Sequence, residues 1–192
     1  MHSFSALGNI ANGWQRTCYR LRQFYQGLQA RITVAERQRV AQILPPAAAT
    51  LFARLPADAQ RHSLNVLNGL QAAGYAAPDL LVAALLHDVG KLAAADAGVP
   101  INLWLRGFLV LVEALAPRLA NRLSADNPQR GWRYALYVQR QHPQIGAGWA
   151  AAAGCSAQAC WLIEHHQDRL PAVQQEPLYS WLQALQQVDN RY

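Results

Sequence analysis

DLLVAALLHDVGKL, residues Asp79–Leu92, is the stretch on which the reading of this chain turns. An apolar helix runs into adjacent His87 and Asp88 and stops near Gly90, with Lys91 just beyond. Polar and charged groups at the end of a buried helix need a partner. A divalent metal is one such partner. His offers a neutral nitrogen and Asp a hard oxygen, a mixture that suits Fe, Mn, Co, Ni or Zn. Adjacent residues diverge by about 100° around a helix, so a site must collect the two from different directions, and Asp88 can do this by bridging two ions. The plain alternative is a His-Asp hydrogen bond that caps the helix.

Outward from this stretch, the chain reads as helices joined by short breaks. Towards the N-terminus, helices are expected over Leu7–Ala30, Ala35–Leu44 (stopping before Pro45-Pro46), Ala47–Leu55 and Ala57–Ala73, the last closed by Gly74. Towards the C-terminus, a loop through Gly98-Val99-Pro100 leads into a helix at Ile101–Leu123, and SADNPQR (Ser124–Arg130) is a loop by composition. Trp132–Gln141 and Pro143–Ala153 read as two helices that meet at His142-Pro143, because a proline disfavours helical backbone at the residue before it. Gly154 closes the second. Ser156 caps a helix that runs to about His166, a loop spans Asp168–Pro177, and Leu178–Asp189 is the last helix. The chain is 52% hydrophobic and 15% charged, rich in Ala, Leu and Gln and poor in β-branched residues. That balance excludes disorder and favours an all-α fold. Residues 1–55 read as an N-terminal helical extension packed on a core made by 56–192.

Four other places carry side chains that could join His87 and Asp88. His62 lies one helix earlier, in RHSLNVLNGL. His142 precedes a proline at the start of HPQIGAGWA, and His165 and His166 sit together in IEHHQD. Asp189 lies in the last helix, in QALQQVDNRY. Each alone has an ordinary reading as a surface, loop or capping residue. A double His is seldom used for core packing.

The order His…His-Asp…His…His-His…Asp resembles the HD superfamily of metal-dependent phosphohydrolases, and within it the HD-GYP-like branch. HSLNVL around His62, ALLHDVGK (Ala84–Lys91), HPQIGA (His142–Ala147), IEHHQD (Ile163–Asp168) and QQVDNRY carry the resemblance, which spans about residues 58–192. It implies an HD-type helical bundle. It also implies one or two divalent transition-metal ions held by His62, His87, Asp88, His142, His165 or His166, and Asp189, with Asp88 bridging. The implied reaction is hydrolysis of a phosphoester, such as a nucleotide, by a metal-activated hydroxide. Lys91 is then a candidate for contact with Asp88 or with substrate phosphate, and Arg130, Arg133 and Arg140 are candidates for phosphate contact. The sequence departs from the HD-GYP pattern after the His pair. It continues Gln167-Asp168-Arg169-Leu170-Pro171 with no Gly-Tyr-Pro run, which argues against cyclic di-GMP as substrate. Where some relatives carry an extra Glu one turn before the first His, this chain has Asp58, which suits a helix start.

The formal net charge is +6, mostly from Arg. A basic surface attracts small anions, and a guanidinium fork suits phosphate. No Lys/Arg run points to specific nucleic-acid binding. Cys18, Cys155 and Cys160 form no CxxC, so reduced thiols are expected. Met1–Gly13 lacks a secretory pattern, which points to the cytoplasm. The apolar run Phe108–Val112 is far below the roughly 20 residues of a membrane span. Trp104, Phe108 and Leu111 fit a buried helix, while contact of 101–123 with a membrane surface is the rival use of that segment. The rival to the enzyme is an HD signalling module that keeps its metal and binds a nucleotide without turnover.

Overall fold

The computed structural model describes residues 32–99, 116–169 and 177–192. Among them every regular element is helical. They are α1 (Val34–Ile43), α2 (Pro46–Arg54), α3 (Ala57–Ala72), α4 (Pro78–Leu86), α5 (Leu92–Asp96), α6 (Pro117–Leu123), α7 (Trp132–Ala152), α8 (Ala157–His165) and α9 (Pro177–Asp189), with 3₁₀ turns at Val89–Lys91 and Pro128–Arg130. The chain is all-α. The helix expected over Leu7–Ala30, Cys18, and residues 101–115 with Trp104, Phe108 and Leu111 lie outside the described residues.

Local chemistry explains where the helices start and stop. Thr33 and Glu36 form a reciprocal capping box at α1. Ser156 caps α8 by accepting from the Ala159 amide, and its hydroxyl donates to Asp79 at the start of α4. Gly74 and Gly154 take positive φ just past α3 and α7, the left-handed stop that glycine accepts without strain.

α4 is the axis of the molecule. Every residue from Leu80 to Leu86 is buried, so this helix has no wet face. It packs among α1, α2, α3, α8 and α9. Burying each leucine contributes about 1.5–3 kcal/mol, and Leu85→Ala should cost about 2–5 kcal/mol by opening a cavity. Ile32, Val40, Leu44, Ala48, Phe52 and Leu55 belong to the same hydrophobic core. Residues 32–55 are therefore packed directly on the body formed by 56–192. Arg61 on α3 reinforces this with a two-pronged contact to Glu36 on α1. Cys155 and Cys160 are half-buried and unpaired, and burial pushes the Cys155 thiol up to about 11.

Two local expectations are corrected. The helix expected over Ile101–Leu123 does not run through Ala116, whose φ −141° and ψ 60° are not helical, and α6 begins only at Pro117. More important, Trp132–Gln141 and Pro143–Ala153 are not two helices: α7 runs unbroken through Pro143. A proline inside a helix removes one backbone donor and typically costs about 3 kcal/mol. Here the carbonyl it orphans, that of Gln139, accepts instead from the His142 ring at 2.8 Å. His142 and Pro143 are both buried, so the surrounding core holds the helix together across the proline.

Candidate metal centre

His87 follows the last residue of α4, and Asp88 begins the 3₁₀ turn, with φ −98° and ψ 0°. That turn lies backbone-to-backbone on α7. A Cβ at Gly90 would sit 2.1 Å from the His142 carbonyl oxygen and 2.7 Å from the Gly146 amide, so only glycine fits. The close approach sets Asp88 beside His142, with Asp88 Oδ1 3.3 Å from His142 Nε2. α8 delivers His166 to the same point, its Nε2 3.3 Å from His142 Nε2 and 4.0 Å from Asp88 Oδ1. From the other side α3 brings His62, whose Nε2 is 3.3 Å from His87 Nε2. α9 ends at Asp189, whose Oδ1 lies 2.8 Å from His62 Nε2 and 3.4 Å from His87 Nε2.

Two groups of three ligand atoms result, His62–His87–Asp88 and Asp88–His142–His166, and within each all atoms lie within 4.8 Å of one another. Asp88 is common to both.

The orientation of the rings favours a cation. Nδ1 of His87 faces the Ala84 carbonyl at 3.1 Å, that of His142 faces Gln139 at 2.8 Å, and that of His166 faces Ile163 at 2.7 Å. A carbonyl can only accept, so each Nδ1 carries the hydrogen. In a neutral ring Nε2 is then a bare lone pair. Two such lone pairs 3.3 Å apart, as at His142 and His166, repel unless a positive charge sits between them. Two nitrogens at about 2.0–2.1 Å from one tetrahedral ion would be separated by about 3.3–3.4 Å. The donor set thus fits a borderline divalent ion in both spacing and tautomer.

The charges agree. Burial opposes ionisation of Asp88, but Lys91 and His87 beside it outweigh burial and hold its carboxyl well below the usual range. Asp189 is likewise lowered, its burial outweighed by the His62 and His87 rings beside it. Burial also disfavours charge on His87, yet Asp88 and Asp189 more than compensate and raise it. His166 goes the other way: burial, then His87 alongside, push it down to about 3. It is a neutral imidazole at any ordinary pH, ready to ligate.

Of the residues singled out in the sequence, His62, His87, Asp88, His142, His166 and Asp189 converge. His165 does not. Its Nδ1 pairs with Asp168 at 2.6 Å and its ring lies 4.5 Å from that of Trp161. The spacing could have separated the two histidines: Ala159, Leu162 and Ile163 are the buried face of α8, and His166 continues that face at i+7, i+4 and i+3. Lys91 joins the centre through its Nζ, 2.7 Å from Asp88 Oδ2, and it is the only lysine in the chain. The three arginines are elsewhere. Arg130 is exposed in the second 3₁₀ turn, and Arg133 Nε donates to the Leu123 carbonyl at 2.6 Å. At about 100° per residue, Arg133 and Arg140 sit on the side of α7 away from His142. Gly90, Gly146 and Pro143 were not recognised as parts of the site from sequence, although the HPQIG spacing held both the proline and one glycine.

No family model matches the chain, nor does any curated protein or solved structure with which it was compared.

Proposed function

We propose that this protein is a metal-dependent phosphohydrolase of the HD superfamily, acting on a small anionic phosphoester such as a nucleotide. The observation that carries the reading is the buried Asp88 carboxylate shared between His62–His87 and His142–His166. Asp189 would complete the first half. When bound, divalent ions in such a pair activate water near neutral pH and neutralise charge on a phosphoryl group.

The protein's own groups are suited to the rest. Asp88 stays ionised and offers one oxygen to each side. The Nδ1–H anchors hold His87, His142 and His166 so that little reorganisation is needed on binding. Lys91 is 39% exposed at its side chain while its Nζ touches Asp88, so the same ammonium can reach a phosphate oxygen at the mouth of the site. Four neutral imidazoles and two carboxylates leave two divalent ions with surplus positive charge, which favours an anionic substrate. Among the described residues no helix is long and apolar enough to cross a membrane.

The test is turnover of a phosphomonoester and nucleotide panel with added Mn²⁺ or Fe²⁺. Activity that disappears in Asp88→Ala supports the reading. Stoichiometric metal and nucleotide binding without turnover would point to a signalling module instead. Cyclic di-GMP is expected to be a poor substrate, since no Gly-Tyr-Pro run follows His165-His166.

A further inference from the structure

His87, His142 and His166 share one device: each donates Nδ1–H to the carbonyl three residues earlier. In an α-helix the carbonyl of residue i−3 is normally taken by the amide of residue i+1. It is open only where that amide is missing. For His87 and His166 the reason is position. α4 ends at Leu86 and α8 at His165, so the Ala84 and Ile163 carbonyls fall among the last four of a helix, which have no partner within it.

His142 has no such excuse. It sits at the midpoint of α7 (Trp132–Ala152), where the Gln139 carbonyl would belong to the amide of residue 143. Residue 143 is proline and has no N–H. The geometry points to Pro143 as a positioning residue for His142. It deletes one helix hydrogen bond and so creates a helix-end carbonyl in mid-helix. His142 Nδ1–H takes that carbonyl at 2.8 Å. The ring is thereby fixed in the tautomer that turns a bare Nε2 towards Asp88 Oδ1 and His166 Nε2, both 3.3 Å away. A free ring would divide its time between tautomers and rotamers, and only one combination serves the centre. Pro143 has no side-chain atom able to ligate an ion or to hydrogen-bond a substrate, so it acts through His142. The inference rests on the metal reading above and extends it to a residue whose task is to orient a ligand.

Pro143→Ala returns an N–H to position 143 and tests this. In chelator-treated protein, long-range ¹H–¹⁵N correlation of the ring nitrogens reads which nitrogen of His142 carries hydrogen. The wild type should show Nδ1–H; the variant should shift towards Nε2–H as the helix amide takes the Gln139 carbonyl. Titration with Zn²⁺ against a competing chelator should show the second equivalent bound about 10–100-fold more weakly, the usual effect of losing an orienting hydrogen bond, with the first equivalent unchanged. Helix content by circular dichroism should be kept or raised, because alanine is the better helix former. A folded variant with His142 still Nδ1–H and both equivalents bound as in the wild type overturns the proposal. Should the variant not fold, the wild-type spectrum decides: His142 protonated at Nε2 contradicts it. Both readouts need no substrate. A protein that passes them yet hydrolyses no phosphoester contradicts the functional reading and supports this inference.

Discussion

Asp88 offers one oxygen to each half of the centre: Oδ1 to His142 and His166, Oδ2 to Lys91 and, farther off, His87. Removing it should therefore act differently from removing any histidine. Asp88→Ala should bring metal content towards zero, whereas His142→Ala or His166→Ala should remove one ion and leave the half built from His62, His87 and Asp189. His165→Ala should keep both ions and most activity, because its partners are Asp168 and Trp161. Elemental analysis of the four variants, with circular dichroism to show they are folded, checks this. Equal loss in His165→Ala and His166→Ala would contradict the assignment. The ligand types were legible in the sequence because His and Asp are rarely brought to a buried helix end without a partner. The choice within the His165-His166 pair also lay there, in the apolar spacing of α8. What was not legible was the tautomer of each ring, since that depends on which backbone carbonyls the fold leaves open.

At the scale of elements, the helices of the described region follow from apolar spacing, caps and glycine stops. α7 is where local rules misled. Pro143 is a breaker by its own chemistry, and only tertiary packing (the buried His142 ring on the orphaned carbonyl, and the glycine turn laid against the helix) makes continuity the better outcome. The same contact yields a prediction. Gly90→Ala would place a methyl group 2.1 Å from the His142 carbonyl oxygen, and neither backbone can easily move. The variant should lose about 1–3 kcal/mol or more, as overpacked cores do, and should weaken metal binding by separating Asp88 from His142. Urea unfolding midpoints and Zn²⁺ titration measure the two effects. A Gly90→Ala protein as stable as the wild type would show that the turn and α7 are not in close contact.

For the whole molecule, α1 and α2 share the core with the helices that carry the ligands, so the stability of the centre is tied to residues far from it. Glu36 on α1 is held down at about 2 by its hydrogen bonds from Arg61, against an unfolded value of 4.5. A depressed carboxylate stabilises the fold above its unfolded pKa, and that contribution fades as pH falls from about 4.5 towards 2. For a pair this close to solvent it amounts to about 1 kcal/mol or less. Glu36→Gln should flatten the stability profile in that window, costing up to about 1 kcal/mol at pH 7 and little near pH 2; an unaltered acid limb would remove the pair from the account. Metal should act in the opposite sense to acid, since a ligand at 100 times its dissociation constant adds about 2.7 kcal/mol. The central claim is that the shared Asp88 gathers real metal ligands, and elemental analysis of protein purified without chelator tests it most directly. The account predicts one to two transition-metal ions per chain, or their uptake on adding Mn²⁺, Fe²⁺ or Ni²⁺, and their loss in Asp88→Ala. A folded wild-type chain that contains no metal and takes up none of these ions would contradict it.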